Sequence, residues 1–276
     1  MDFKRLELIL LAVFVALDIF LFVSYNQNQN VFFATDVSQS TTESLRQDMK
    51  DDDITIPNKL SNKAQSGYYL ASRSNEKLSN QSGRLTGQNF NVNSDGELTS
   101  RFYQPVDYKK GQALTAAKAL LKEHNRILYG HSYKYVPELS NSSQLVFTQK
   151  HNGHPVFDVK ARLIFQLDDN TITGYTQQYV DNFIVLREKN TVISAKAAIN
   201  NLYTNSEIPT NSTVVWYRLA YYGFLDAKGS TIYIPTWYIG VKDNSTKTVT
   251  QKQINGFTGA LIKSKSSEST YYAVDD

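Results

Sequence analysis

Few residues in this sequence are of a type that does chemistry. It holds four histidines and no cysteine. The missing thiols exclude disulfides, thiol catalysis and zinc-cysteine centres together. His151 and His154 flank Asn152-Gly153, so a tight turn there makes them a cross-strand pair whose ring nitrogens could meet on one metal. Two ligands fall short of a structural zinc site, and no third lies nearby. An exposed hairpin tip is the plainer reading. His124 falls late in a helical pattern, and His131 lies in a Gly-His-Ser-Tyr loop. Asp51-Asp52-Asp53 lacks the spaced oxygen ligands and turn glycine of a calcium loop, and reads as a solvated turn. Asp168 and Asp169 also fall on a turn signal. There is no Gly-x-Ser-x-Gly elbow and no glycine-rich phosphate loop. The sequence therefore points to no catalytic residue, no cofactor and no metal. The net charge of +3 is spread along the chain, without the basic stripe of a nucleic-acid binder.

Asp18 is the ionisable group in the least expected place. It interrupts LELILLAVFVALDIFLFVSY, residues 6–25. Twenty residues rise about 30 Å as a helix, the depth of a bilayer's hydrocarbon core. The thirteen Leu, Ile, Val and Phe residues between Leu8 and Val23 favour insertion by at most ~4–8 kcal/mol. Asp18 opposes this by about 3 kcal/mol, so the segment inserts. Lys4 and Arg5 hold residues 1–5 in the cytoplasm and send the C-terminus outward. No small-residue cleavage site follows the run, which favours an uncleaved anchor. Asp18 is too deep to reach water easily. Either it faces a partner helix, or it is protonated or sits in a locally thinned bilayer; a partner is the favoured reading. Leu11, Phe14, Val15, Phe22 and Tyr25 share its face by helical spacing. Ala12 and Ala16 form a small-xxx-small pair nearly opposite.

Beyond the anchor the spacing predicts an α+β protein. A polar stalk covers residues 26–37, and the N-terminal part of the ectodomain covers 38–110. Ser38–Lys50 reads as a helix with Leu45 and Met49 on one face. Residues 58–100 are rich in Ser, Asn, Gln and Gly and suggest short strands with long loops. A helix is expected over 112–128, then a hairpin turning at Asn152-Gly153. Alternation over 156–167 points Phe157, Val159, Ala161, Leu163, Phe165 and Leu167 one way. A strand follows at 171–180. The order then recurs. Ser194 caps a helix to Tyr203 with Ala195, Ala198, Ile199 and Leu202 on one face. Strands follow near 213–225, 231–242, 247–254 and 257–263. Two similar units, 111–190 and 191–276, would each pack one helix on an antiparallel meander. Trp216, Tyr217, Tyr221, Tyr222, Tyr233, Trp237 and Tyr238 crowd the second. Those facing inward are core; those facing outward would suit a protein interface.

The start MDFKRLELIL, the run HNGHPVFDVKARLIFQLDDNTITGYTQQYV and the closing pattern YIPTWYIGV…INGFTGALI resemble the YycI (WalI) family of Firmicutes over essentially the full length. The resemblance implies a non-enzymatic, single-pass cell-membrane protein with an extracellular α+β domain. It would act with a YycH-like protein on a sensor histidine kinase of the YycG (WalK) type, in an essential cell-wall two-component system. It brings no catalytic residue with it. An anchored extracellular inhibitor, or a chaperone-like binder of secreted enzymes, is the alternative that the same architecture allows.

Overall fold

The computed structural model describes residue 7 and residues 10–22, 39–227, 229–263 and 270–272. They fall in two compact units, Met1–Asp48 and Met49–Asp276. The first unit contains helix α1, residues 10–22, and the start of α2 (Gln39–Asp51). No helix among the described residues is long and apolar enough to cross a membrane. The expected span, residues 6–25, is described only at residue 7 and over 10–22.

The second unit is α+β, with few helices and mostly antiparallel strands. The chain first forms β1 (Gln65–Gly67), β2 (Leu70–Arg73), α3 (Lys77–Gln81), β3 (Gln88–Val92), β4 (Leu98–Asp107) and α4 (Ala113–Leu120). Next come β5 (Lys134–Tyr135), β6 (Gln144–Thr148), β7 (Lys150–His151), β8 (His154–Pro155), β9 (Arg162–Asp168) and β10 (Thr171–Gln177). It continues through β11 (Ile184–Val185), β12 (Asn190–Val192), α5 (Ala195–Thr204), β13 (Ser212–Ala227), β14 (Ser230–Asp243), β15 (Thr248–Asn255) and β16 (Thr270–Tyr272).

The first large sheet runs β3-β4-β10-β9-β6-β5. The second runs β11-β2-β14-β15-β16, with β13 paired to β14. Strands from before residue 111 enter both sheets: β3 and β4 the first, β2 the second. Leu98 and Phe102 of β4, Phe147 of β6, Leu163 and Phe165 of β9, and Tyr175 of β10 pack with Ala117 and Leu120 of α4 in one buried cluster. On the second sheet, α5 buries Ala195, Ala198, Ile199 and Leu202. The Trp237 indole donates to the Ile193 carbonyl just ahead of that helix.

Local chemistry explains where these elements begin and end. Ser194 accepts from the Ala197 amide and starts α5, as an N-cap serine does. Asn152 and Gly153 have φ of 48° and 83°, the positive pair a type I′ turn needs. The helix expected over 112–128 ends at Leu120. Past Leu120 the chain tightens into three-residue turns, Lys122 N to Ala119 O and Glu123 N to Leu120 O, and further on the carbonyls of 126 and 128 bond to sheet side chains. The Tyr175 hydroxyl and the Gln88 amide donate to Arg126 O, and the Gln177 amide donates to Leu128 O. The expected strand over 156–167 starts only at Arg162. Asp158 accepts from the Lys160 amide and winds 159–161 into a 3-10 turn, which leaves Val159 half exposed. The expected strand at 257–263 opens as a turn, because the Asn255 carboxamide accepts from the Phe257 and Thr258 amides, and pairs with β15 only through a bridge from Leu261 to Ile254.

The sheets join at β13. The Phe157 amide donates to Tyr221 O, and Val156 bridges Tyr221. Successive side chains then enter opposite faces. Val156 joins Leu70, Ala161, Val180, Tyr221 and Tyr233. Phe157 joins Val136, Leu139, Val146, Ala220 and Tyr238, with its ring 4.9 Å from that of Tyr238.

Gly174 adjoins a β-bulge in β10. A Cβ there would stand 2.2 Å from Ser100 O, a backbone atom with little freedom to retreat. Gly174→Ala is expected to destabilise the protein by about 2–3 kcal/mol, as overpacking does. Chemical denaturation monitored by tryptophan fluorescence measures this; an unchanged midpoint contradicts the packing described.

Candidate functional site

Three places bring polar or apolar side chains together in a way a partner could use. The first is α1. All ten large apolar side chains from Leu10 to Phe22 are half or more exposed. Apolar side chains on every face of a helix mark it as one that is buried in something else. Leu11, Phe14, Val15, Asp18 and Phe22 all lie within the helix and follow one another at helical spacing. Lys4, Arg5 and Tyr25 lie outside the described residues.

The second is a cleft of about 560 Å³ between the first sheet's loops and the tip of the β13–β14 hairpin. Ser72–Asn75, Ser94–Gly96, Val159, Lys160, Gln178–Val180 and the hairpin tip line it. On its wall, Lys160 Nζ donates to Asp226 Oδ1 at 2.5 Å and to Thr231 Oγ1 at 2.8 Å. Thr231 in turn donates to Asp226 at 2.6 Å. Behind them lies Asp158, its carboxylate in the space a side chain at position 223 would fill. A Cβ on Gly223 would come within 2.0 Å of Oδ2. Burial pushes the Asp158 carboxyl above its ordinary range, and Arg162 and Lys160 partly offset this. Lys160 and Asp226 are thus paired with each other within the protein. The sequence reading missed this cleft, because Lys160 and Asp226 are 66 residues apart and only the joint at β13 brings them together.

The third is the histidine hairpin. His151 and His154 oppose each other across the turn. They are not an exposed tip, since both imidazoles pack edge-on against Tyr221, 6.0 and 6.4 Å away, and His151 also meets Phe183 at 5.5 Å. His124 and His131 line a separate hollow of about 220 Å³ with Arg84 and Tyr129. No group of three or more metal-ligating side chains occurs among the described residues. Asp52 of the acidic run accepts from the Tyr203 hydroxyl at 2.7 Å and so helps hold α5. The aromatic run is mostly core: Tyr221, Tyr233, Trp237 and Tyr238 are buried, and only Trp216, Tyr217 and Tyr222 are half-buried. The outward Tyr/Trp surface is therefore not formed, because β14 is buried on both faces from Tyr233 to Val241.

The fold and these surfaces define an α+β protein of two joined antiparallel sheets. It is similar to an uncharacterized protein from Eubacterium rectale ATCC 33656, with 10% identity and a TM-score of 0.50 over 78% of this chain and 92% of that one. A fainter likeness is to the C-terminal domain of Bacillus megaterium YpeB, with 11% identity and a TM-score of 0.36 over 82% and 96% of the two chains. No curated protein matches the chain. The sequence pattern of the YycI family, described as "YycI protein", matches residues 34–257. The chain belongs to the YycI family, a regulatory family associated with the YycG/WalK system.

Burial holds His151 and His154 below their ordinary imidazole range; for His154 a backbone hydrogen bond at Leu219 partly opposes it. The unfolded chain then binds more protons than the folded one as pH falls below ~6.5, so stability falls on acidification through that range. The raised Asp158 carboxyl has the opposite sign. Its stabilising effect is present at low pH and lost as pH rises through its folded value. The double substitution His151→Gln, His154→Gln is expected to lose less stability than the parent between pH 7 and 5. Urea midpoints at the two pH values give that difference, and the Asp158 contribution cancels between the proteins. Equal losses would contradict the buried neutral imidazoles.

Proposed function

We propose that this chain is a non-enzymatic, membrane-anchored regulator of a sensor histidine kinase of the YycG (WalK) type, working with a YycH-like membrane protein. The observation that carries this reading is the YycI family match over residues 34–257. The all-round apolar surface of α1 supports the anchor. In this reading α1 is the described part of a single bilayer span, with Lys4 and Arg5 on the cytoplasmic side and the two sheets outside.

Regulation requires differential binding, because a ligand shifts an equilibrium only by the difference of its affinities for the two states. A preference of about 1.4 kcal/mol for one signalling state changes their ratio tenfold. Asp18 gives the span a polar handle. In hydrocarbon its carboxylate is satisfied by a donor or cation on a neighbouring helix. Leu11, Phe14, Val15 and Phe22 would pack around that contact.

Photo-crosslinking of the full-length protein in native membranes tests the reading. Capture of a YycG-type kinase together with a YycH-like protein is the expected result, with Asp18→Leu lowering it at least fivefold. Capture of a secreted enzyme in their place would instead make the protein an anchored inhibitor or chaperone. Unchanged capture and signalling in Asp18→Leu would remove Asp18 from the contact face.

A further inference from the structure

The second sheet presents an apolar row that the described residues leave half open. Strand register aligns Leu225 of β13 with Ile232 of β14, Ala71 of β2 and Ile184 of β11. Residues directly in register share a face, so the row crosses four strands. Leu225 and Ile184 at its ends are 49% and 44% exposed, and Ile232 and Ala71 between them are half-buried. The next row adds Leu186, whose amide donates to Tyr69 O and which is 48% exposed. Phe224, at the β-bulge between Gly223 and Leu225, is 55% exposed. Contiguous apolar surface of this kind marks a contact site.

The charges at its border suit an anionic surface. Arg73, paired in register with Ser230, is exposed at one end. At the other end the Arg187 guanidinium lies 5.9 Å from the Tyr69 ring, and exposed Glu188 and Lys189 follow. Asp226, near the hairpin tip, is bound by Lys160. Apolar side chains framed by arginines are what the interface of an anionic bilayer accommodates: the apolar groups enter the headgroup boundary and the guanidiniums meet phosphates.

We propose that this face rests on the anionic lipid surface of the membrane in which the chain is anchored. The inference builds on the anchored reading above, which places a bilayer within reach. Its effect would be to restrain the orientation of the β13–β14 tip and the adjoining cleft relative to the membrane.

The absence of cysteine makes the test direct. Single cysteines replace Ile184, Leu225 or Leu186 on the row, Thr99 on an exposed position of β4, or Val13 in α1. Each carries an environment-sensitive fluorophore on the full-length protein, which is reconstituted in phosphatidylglycerol/phosphatidylcholine vesicles containing spin-labelled lipids. Blue-shifted emission is expected at 184, 186 and 225, with quenching at least threefold stronger than at 99, weakening when phosphatidylglycerol is omitted. Quenching at 13 with none on the row would overturn this inference and leave the anchor standing. No quenching at 13 would remove the anchor itself. Energy transfer between row labels on different copies, without lipid quenching, would assign the face to self-association and also overturn it.

Discussion

The Phe157 amide donates to Tyr221 O at the free edge of β13, and the rest of the second unit depends on that contact. An edge strand leaves its amides and carbonyls open to any extended segment. Here residues 156–157 occupy that edge, and the alternation of an extended chain sends Val156 to one face and Phe157 to the other. Phe157 enters a cluster with Val146 of the first sheet and Ala220 and Tyr238 of the second. Val156 enters one that joins Leu70, Tyr221 and Tyr233 of the second sheet to Ala161 and Val180, which flank the first sheet's β9 and β10. The sheets are thereby joined by two apolar contacts on either side of one backbone pairing. The position of the cleft follows, because Asp158 and Lys160 come directly after the joint and meet Asp226 and Thr231 of the hairpin tip.

Polar groups in the second unit are handled in two ways. Those at the surface of the cleft pair with one another: Lys160 with Asp226, and Thr231 with both. Those deeper inside pin irregular backbone. Gln177, Tyr175 and Gln88 satisfy the carbonyls of 126–128, and the Gln149 side chain both donates to and accepts from Val180. Buried backbone polar groups need partners, so side chains that supply them decide where a loop can enter the core. A regulator needs a shaped surface more than a reactive one, and this arrangement provides relative rigidity between two sheets. Family membership is what connects that surface to the YycG/WalK regulatory system.

Much of the local structure was legible because it rests on neighbours in the chain. The Asn152-Gly153 turn, the Ser194 cap and the buried stripe of α5 depend on contacts within four residues of one another. The readings that changed depended on distant partners. Helix α4 stops at Leu120, and the segment after it is held by distant groups: Thr86 N on Asn125 O and sheet side chains on the carbonyls of 126 and 128. The extended run before Arg162 becomes a turn around Asp158, whose carboxylate fits against Gly223, 65 positions onward. Arg162 itself reads as water-facing by alternation, yet it is buried and donates to Phe157 O. The Ser- and Asn-rich stretch 58–100 carried too weak a pattern to assign, because β1, β2 and β3 are short, and β1 and β2 complete their pairing with strands more than a hundred residues onward.

The sequence by itself determined the class: an α+β chain of mostly antiparallel strands with an apolar N-terminal helix carrying Asp18, resembling YycI. Hydrophobic periodicity and turn chemistry are local and can be read from spacing. Only the tertiary structure decided which strands share a sheet, which aromatic residues lie inside, and where Lys160 meets Asp226. Those outcomes depend on pairing between strands tens of residues apart, and a strand's own alternation does not specify its partner. The half-open row from Leu225 to Ile184 belongs to the same kind of knowledge, since its four members form one surface only through register.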